Sequence, residues 1–243
     1  MSGSSSIHLI LFVFLIFGLL NGRADELPMA LPEDVSMSSE ELKKVDHVIQ
    51  KFIDDKELAG AVTIIARKGK VIHFSAQGMQ DISAAKKMDK DSIFRIYSMT
   101  KAVVSVAAMR LVEQGKLKLD VPASTYIPSI AKMKFNGEIP NREMTLRDLL
   151  SHSSGLPNNV STDRALRVAG HPSLAESNLE EIMGRLESVP LKYEPGKGWY
   201  YSFAADVVGR LVEIGSGLQL DKALRDLIFD PLGMKDTGFY VPK

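Results

Sequence analysis

The stretch from Ala102 to Val112, AVVSVAAMRLV, limits this chain more than any other. It is almost wholly apolar, closes with Glu113-Gln114-Gly115, and reads as a buried helix. Ser98-Met99-Thr100-Lys101 stands directly before it. Residues i and i+3 share a helix face, so Lys101 can lie beside the Ser98 hydroxyl. A helix N-terminus also offers free backbone N–H groups and favours nearby negative charge. That is an acyl-transfer site in outline, with Ser98 as nucleophile. The alternative is that Ser98 caps the helix and Lys101 is solvated.

The pattern S-x-x-K is common, and the chain contains it three times. Ser83 to Lys86 lies in DISAAKKMDKD, a polar turn; Ser129 to Lys132 leads into KMKFNGEIP, without a long apolar run. Only Ser98 opens a buried helix. A second segment, PGKGWYYSFAADVVGRLVEIGSG (195–217), begins with a turn and ends in an apolar helix from Phe203 to Ile214. Tyr201 stands where a loop enters that helix and can reach a site. Tyr200 and Trp199 read as loop anchors that pack. A third segment, LLSHSSGLP (149–157), holds His152, which reads as a local hydrogen-bonding residue at a helix end and not as a triad base.

Taken together, the chain resembles the serine β-lactamase and penicillin-binding-protein superfamily. Within it, the chain is similar to the class C β-lactamase-like branch that includes the family VIII carboxylesterases. The matching segments are FRIYSMTKAVVSVAAMRLVEQGKLKLDVPASTYIP (94–128), TLRDLLSHSSGLP (145–157), residues 195–217 and FDPLGMKDTGFYVP (229–242), in the family's order. The resemblance implies three catalytic residues: Ser98 as nucleophile, Lys101 as its partner and Tyr201 as the Tyr of a Tyr-x-Asn motif. Phe203 stands where that motif has Asn, which favours an esterase over a β-lactamase. It implies an α+β, serine β-lactamase/transpeptidase-like fold, with an N-terminal α/β part and a helical region. It also implies that the family's C-terminal sheet strands, its third motif and one oxyanion donor would follow Lys243. The chain is therefore expected to be an N-terminal fragment with an unpaired sheet edge, prone to aggregate. The implied activity is ester hydrolysis through an acyl-enzyme on Ser98. The alternatives are a β-lactamase or D-alanyl-D-alanine carboxypeptidase-like amide hydrolase, or an inactive truncated product.

The 243 residues are 45% hydrophobic, with 30 basic and 30 acidic side chains. That suits one globular domain and a small-molecule ester or β-lactam-like substrate; mixed charges without a basic stripe argue against nucleic acid. Residues 7–20, IHLILFVFLIFGLL, suit a signal-peptide core better than a membrane span, with cleavage after Ala24. Residues 1–24 are thus read as a signal peptide, 25–38 as a linker and 39–243 as the hydrolase domain. Export to the periplasm or medium follows, with no stable membrane span after cleavage. The leading MSGSSS lacks Lys and Arg, so an uncleaved membrane anchor is the alternative. There is no cysteine, and the five histidines show no paired metal-ligand spacing, so no metal or cofactor is expected. An amphipathic helix is expected over 39–57, with Leu42, Val45, Val48, Ile49 and Phe52 on one face. A hairpin is expected over 60–76, loops over 116–144, and helices near 145–152, 177–188, 203–214 and 219–229.

Overall fold

The computed structural model describes residues 27–240. The apolar run 7–20 and the expected cleavage point lie outside them. The chain divides between Arg95 and Ile96 into two compact units.

In the first unit, α1 (Ser39–Asp54) starts where the Ser38 side chain accepts the Glu41 amide, at 3.2 Å. Glu40 and Glu41 then face the positive end of the helix dipole. Two antiparallel strands follow, β1 (Gly60–Arg67) and β2 (Lys70–Asp81), in register from Gly60↔Gly78 to Arg67↔Lys70. Lys68 and Gly69 make the turn, both at positive φ (52° and 71°). Two such residues give the tight hairpin that matches strand twist. β2 continues past Ala76 to pair with the short β3 (Lys86–Lys87). The sheet order is β1-β2-β3, and among the described residues β1 pairs on one side only. Val35, Leu42 and Ile72 form this unit's small core, with Ala30, Met37, Val45 and Ile65 against it. Val48 and Phe52, expected on the buried face of α1, stay half-exposed.

The linker expectation for 25–38 needs correction over the described part. The backbones of Pro28 and Ala30 exchange hydrogen bonds with Val71, and Pro32–Val35 form a 3-10 turn that buries Val35. The pull of one apolar side chain and a bridge to β2 outweighs the Pro-rich composition.

The second unit is helical. It contains α2 (Thr100–Glu113), α3 (Leu146–Leu150), α4 (Asn159–Val168), α5 (Leu179–Gly184), α6 (Ala204–Ser216) and α7 (Leu220–Leu224). α7 runs on into a π-helical turn, Arg225–Phe229. α2 packs along α6, burying Val104, Ala107, Ala108 and Leu111 against Val207, Val208, Leu211 and Val212. The opposite face of α2, with Val106 and Met109, is exposed, so the helix is not buried all round. α4 was not expected. Its sequence NVSTDRALRV has a weak apolar pattern; Asn158 starts it by capping the Ser161 amide at 2.9 Å, and buried Leu166 anchors it.

Candidate active site

Ser98 lies in a single 3-10 turn, Tyr97–Met99, that leads into α2. Tyr97 sits at φ 42°, in the left-handed region that costs a non-glycine residue about 1–3 kcal/mol. Tyr97 and Met99 are 75% and 70% exposed, and Ser98 between them is exposed too. The capping alternative is not realised. Met99 is the N-cap and makes no side-chain cap, while the Ser98 hydroxyl accepts from Lys101 Nζ at 3.3 Å. Lys101 is half-buried, and the Ser105 hydroxyl donates to its carbonyl one turn on, at 2.7 Å.

The Lys101 ammonium also stands 4.8 Å from the centre of the Tyr201 ring. Ser98 and Lys101 are thus brought together with Tyr201, about a hundred residues further along the chain. Hydrogen bonding to Lys101, and then to Ser98, holds the Tyr201 phenol below its ordinary pKa, with little burial to oppose it. Phe203 does not reach this site. Its side chain is 1% exposed in the core, and its amide donates to the Pro157 carbonyl at 2.9 Å.

The loop that presents Tyr201 is zipped onto residues 152–157. Lys192 N–H donates to the Gly155 carbonyl, Gly196 N–H to Ser153, Tyr200 N–H to His152 and Phe203 N–H to Pro157. The two backbones come so close at Gly155 (φ 83°) that a Cβ there would clash with the Tyr193 carbonyl oxygen. Glycine is the residue this approach admits. Beneath lies Asp148, whose carboxylate accepts two hydrogen bonds from Arg142 (2.7 and 2.9 Å), two from Thr145 (both 2.9 Å) and one from Ser153 (3.2 Å). Burial pushes Asp148 up, and Arg142 and then Thr145 pull it further down, leaving it below the ordinary carboxylate range.

His152 is the residue that sequence reasoning placed wrongly. Its partners are not local: its Nδ1 lies 3.3 Å from both the amide nitrogen and the hydroxyl of Ser202, and its ring is 4.8 Å from that of Tyr201. Burial, and then the charge of Lys101, lower its pKa. Trp199 meets the His152 ring edge-on at 6.2 Å but is 69% exposed, so it is not the packed anchor expected. Tyr200 is such an anchor: its hydroxyl accepts from Asn158 Nδ2 at 3.1 Å, and Lys192 covers its ring at 4.2 Å. Two shallow clefts of 390 and 400 Å³ flank Arg210, and none of Ser98, Lys101, Tyr201 or His152 lines them. Among the described residues no three His, Asp or Glu side chains gather as metal ligands.

Residues 45–243 match the profile of the family described as Beta-lactamase. The chain is 37% identical over 201 residues to Esterase EstB of Burkholderia gladioli, covering 81% of this chain and 51% of that protein. It is 30% identical over 209 residues to Lovastatin esterase of Penicillium rubens, covering 81% and 52%. Among solved structures it is similar to EstCE1, a hydrolase with promiscuous acyltransferase activity. That match has 34% identity and a TM-score of 0.74, over 82% of this chain and 53% of that one. The fold is α+β and serine β-lactamase/transpeptidase-like. The chain spans about half the length of the relatives it matches.

Proposed function

The chain belongs to the beta-lactamase family, and we propose that within it this is a serine hydrolase of carboxylesterase type. The observation that carries the proposal is the Lys101 ammonium placed between the Ser98 hydroxyl, at 3.3 Å, and the face of the Tyr201 ring, at 4.8 Å. The esterase names of two relatives support the ester as substrate class. So does Phe203, which puts a buried ring where an amide-contacting Asn would serve a β-lactam.

In the proposed reaction, Ser98 Oγ attacks the ester carbonyl and its proton passes to the Lys101–Tyr201 pair. The tetrahedral oxyanion collapses, the C–O bond to the alcohol breaks, and the alcohol leaves with that proton. Water then attacks the acyl-Ser98 ester, gives its proton to the same pair, and releases the acid as Ser98 recovers a proton. Hydrogen bonds to Lys101 and then to Ser98 favour the tyrosinate form of Tyr201, which fits it to hold and return the proton. The Ser98 backbone N–H, in the first turn of the helical segment, is one donor to the oxyanion.

The test is turnover of a short-chain p-nitrophenyl ester together with labelling by an alkyl phosphonate. Label on Ser98 alone, with turnover abolished in Ser98→Ala, is expected. Label on Ser83, Ser129 or Ser153 overturns the assignment. Hydrolysis of a chromogenic cephalosporin at a comparable rate moves the reading to a β-lactamase, and neither label nor turnover marks an inert chain. Export is a further proposal, resting on the apolar run 7–20 and the small residues Gly22 and Ala24. N-terminal sequencing of the protein recovered from the periplasm or medium checks it, with Asp25 as the expected first residue.

A further inference from the structure

We propose that His152 is a positioning residue that holds Tyr201 on Lys101 from three points. The inference rests on the acyl-transfer reading of Ser98, Lys101 and Tyr201. The hold is unusual because it takes the backbone on both sides of one residue. The amide of Tyr200 donates to the His152 carbonyl at 3.0 Å, and the amide of Ser202 donates to its ring at 3.3 Å. The ring then lies 4.8 Å from the Tyr201 ring between those two anchors, tilted by 35°. Lys101 Nζ also stands 4.8 Å from the same Tyr201 ring centre. The phenol is therefore placed by an imidazole and a cation, both fixed from elsewhere in the fold.

His152 itself is held firmly. Its backbone sits at φ 56°, a strained value for a residue with a side chain, and the Tyr193 hydroxyl also donates to its carbonyl at 3.0 Å. An amide N–H aimed at Nδ1 requires a lone pair there. The neutral ring must then carry its proton on Nε2. Protonation would turn Nδ1 into a donor facing the Ser202 amide, leaving the Ser202 hydroxyl at 3.3 Å as its acceptor, so the amide anchor is lost; it would also set a second cation near Lys101. Lys101 from α2 is the charge that acts on the ring; Tyr201 lies against it and Tyr193 bonds its carbonyl, while Asp148 in α3 and Asp206 in the first turn of α6 have other partners. Asp148 is committed to Arg142. Burial raises Asp206, with Asn159 and Lys101 opposing. Among the described residues no carboxylate pairs with the His152 ring. Acid should therefore release Tyr201 through this one residue.

The experiment follows the Tyr201 phenol directly, with tyrosine labelled at Cζ and read by NMR titration in the whole chain. In the wild type the phenol is expected to ionise below the ordinary tyrosine value. In His152→Ala it should move back toward that value. His152→Phe keeps a ring and loses the acceptor, and His152→Asn keeps an acceptor near the Nδ1 position; each should restore only part. If His152→Ala does not fold, these two variants decide. Nitrogen-15 imidazole spectra should show the Nε2–H tautomer for His152. A phenol titration that none of the three variants moves, a wild-type phenol at the ordinary value, or an Nδ1–H tautomer overturns the proposal. In parallel, the rate of phosphonate labelling at Ser98 is followed against pH. It should fall at least tenfold as His152 protonates, and the fall should flatten in His152→Phe. An acid limb equally steep in that variant counts against His152. A wild type that takes no label at any pH overturns the acyl-transfer reading alone, and the phenol titration still judges the positioning role.

Discussion

Two stretches of the second unit meet at Ser98, and they are held in opposite ways. The turn 97–99 is exposed on all three residues, and the side-chain hydrogen bonds described for it run through Ser98, to Lys101 at 3.3 Å and to Tyr201. The paired segments 148–157 and 192–203 are tied by backbone bonds at His152, Ser153, Gly155 and Pro157, above a buried Asp148. The groups proposed to react thus sit on an open lip, while the group that must meet them is aimed by a hydrogen-bonded frame. Changes on the lip should alter rate with little effect on stability. Changes in the frame should alter both.

The largest expected effect beyond loss of Ser98 itself comes from Tyr201→Phe. The ring stays, so its contacts with His152 and Lys101 survive, and the melting temperature should hold. The hydroxyl is lost from the proton path, and general acid–base groups contribute about 10²–10⁴-fold. Ester turnover should fall by a factor in that range. A fall in melting temperature as large as that of a frame variant would erase the distinction between lip and frame.

Gly155→Ala attacks the frame where it is tightest. A Cβ at φ 83° would strain the backbone and would also clash with the Tyr193 carbonyl oxygen. The two strands of the frame must then part, at a cost of about 3 kcal/mol. Urea unfolding should show it, and turnover should drop with it because Tyr201 rides on the displaced loop. Unchanged stability would mean that the pairing at Gly155 does not form in solution.

Asp148→Asn removes charge from the same frame and gives it a pH signature. Arg142 is half-exposed, so the loss should be nearer about 2 kcal/mol than the value for a fully buried pair. The folded-state pKa of Asp148 lies below the unfolded one. Its contribution is therefore complete above the ordinary aspartate value and is lost as pH falls through the lower, folded value. Stability curves of wild type and Asp148→Asn should converge toward acid pH. His152 works in the same direction at higher pH. Its folded pKa is lowered, so its cost to folding begins as pH drops below the ordinary histidine value and levels off below the folded one. Wild type and variant losing stability in parallel down to strong acid would exclude Asp148 as a charged anchor.

The lip was legible in the sequence and the frame was not. Ser98 and Lys101 are three residues apart, and helix geometry alone puts them together; Tyr201 announces itself as an aromatic at a helix entrance. The frame is built from pairs 37 to 48 residues apart, such as Lys192 with Gly155 and Tyr200 with His152. Backbone hydrogen bonds of that kind leave no periodicity behind. His152 was legible as a hydrogen-bonding residue but not as a partner of Ser202. Phe203 reads in the sequence as the third position of a Tyr-x-Asn-like motif, but its burial depends on how α6 starts. In the first unit, α1 and the hairpin followed from apolar spacing and turn residues. The order 28–38 takes against β2 comes from Val35 and two backbone bonds, which composition does not record.

Tyr200→Phe should have the smallest effect and separates the two regions most finely, because Tyr200 and Tyr201 are neighbours with different tasks. The Tyr200 hydroxyl accepts from Asn158 Nδ2, and the Asn158 Oδ1 caps α4 through the Ser161 amide. Removing the hydroxyl leaves that side-chain N–H to water and loosens the cap, at a cost of about 1 kcal/mol. The amide that donates to His152 is untouched by the substitution, so the hold on Tyr201 remains. Ester turnover should therefore stay within about twofold of wild type while the unfolding midpoint shifts slightly, the reverse of the Tyr201→Phe pattern. A Tyr200→Phe variant that loses more turnover than Tyr201→Phe would exchange the roles of the two tyrosines. Ring stacking on His152 would then be the duty of a structural residue, and the proton path would run through the tyrosine beneath Lys192.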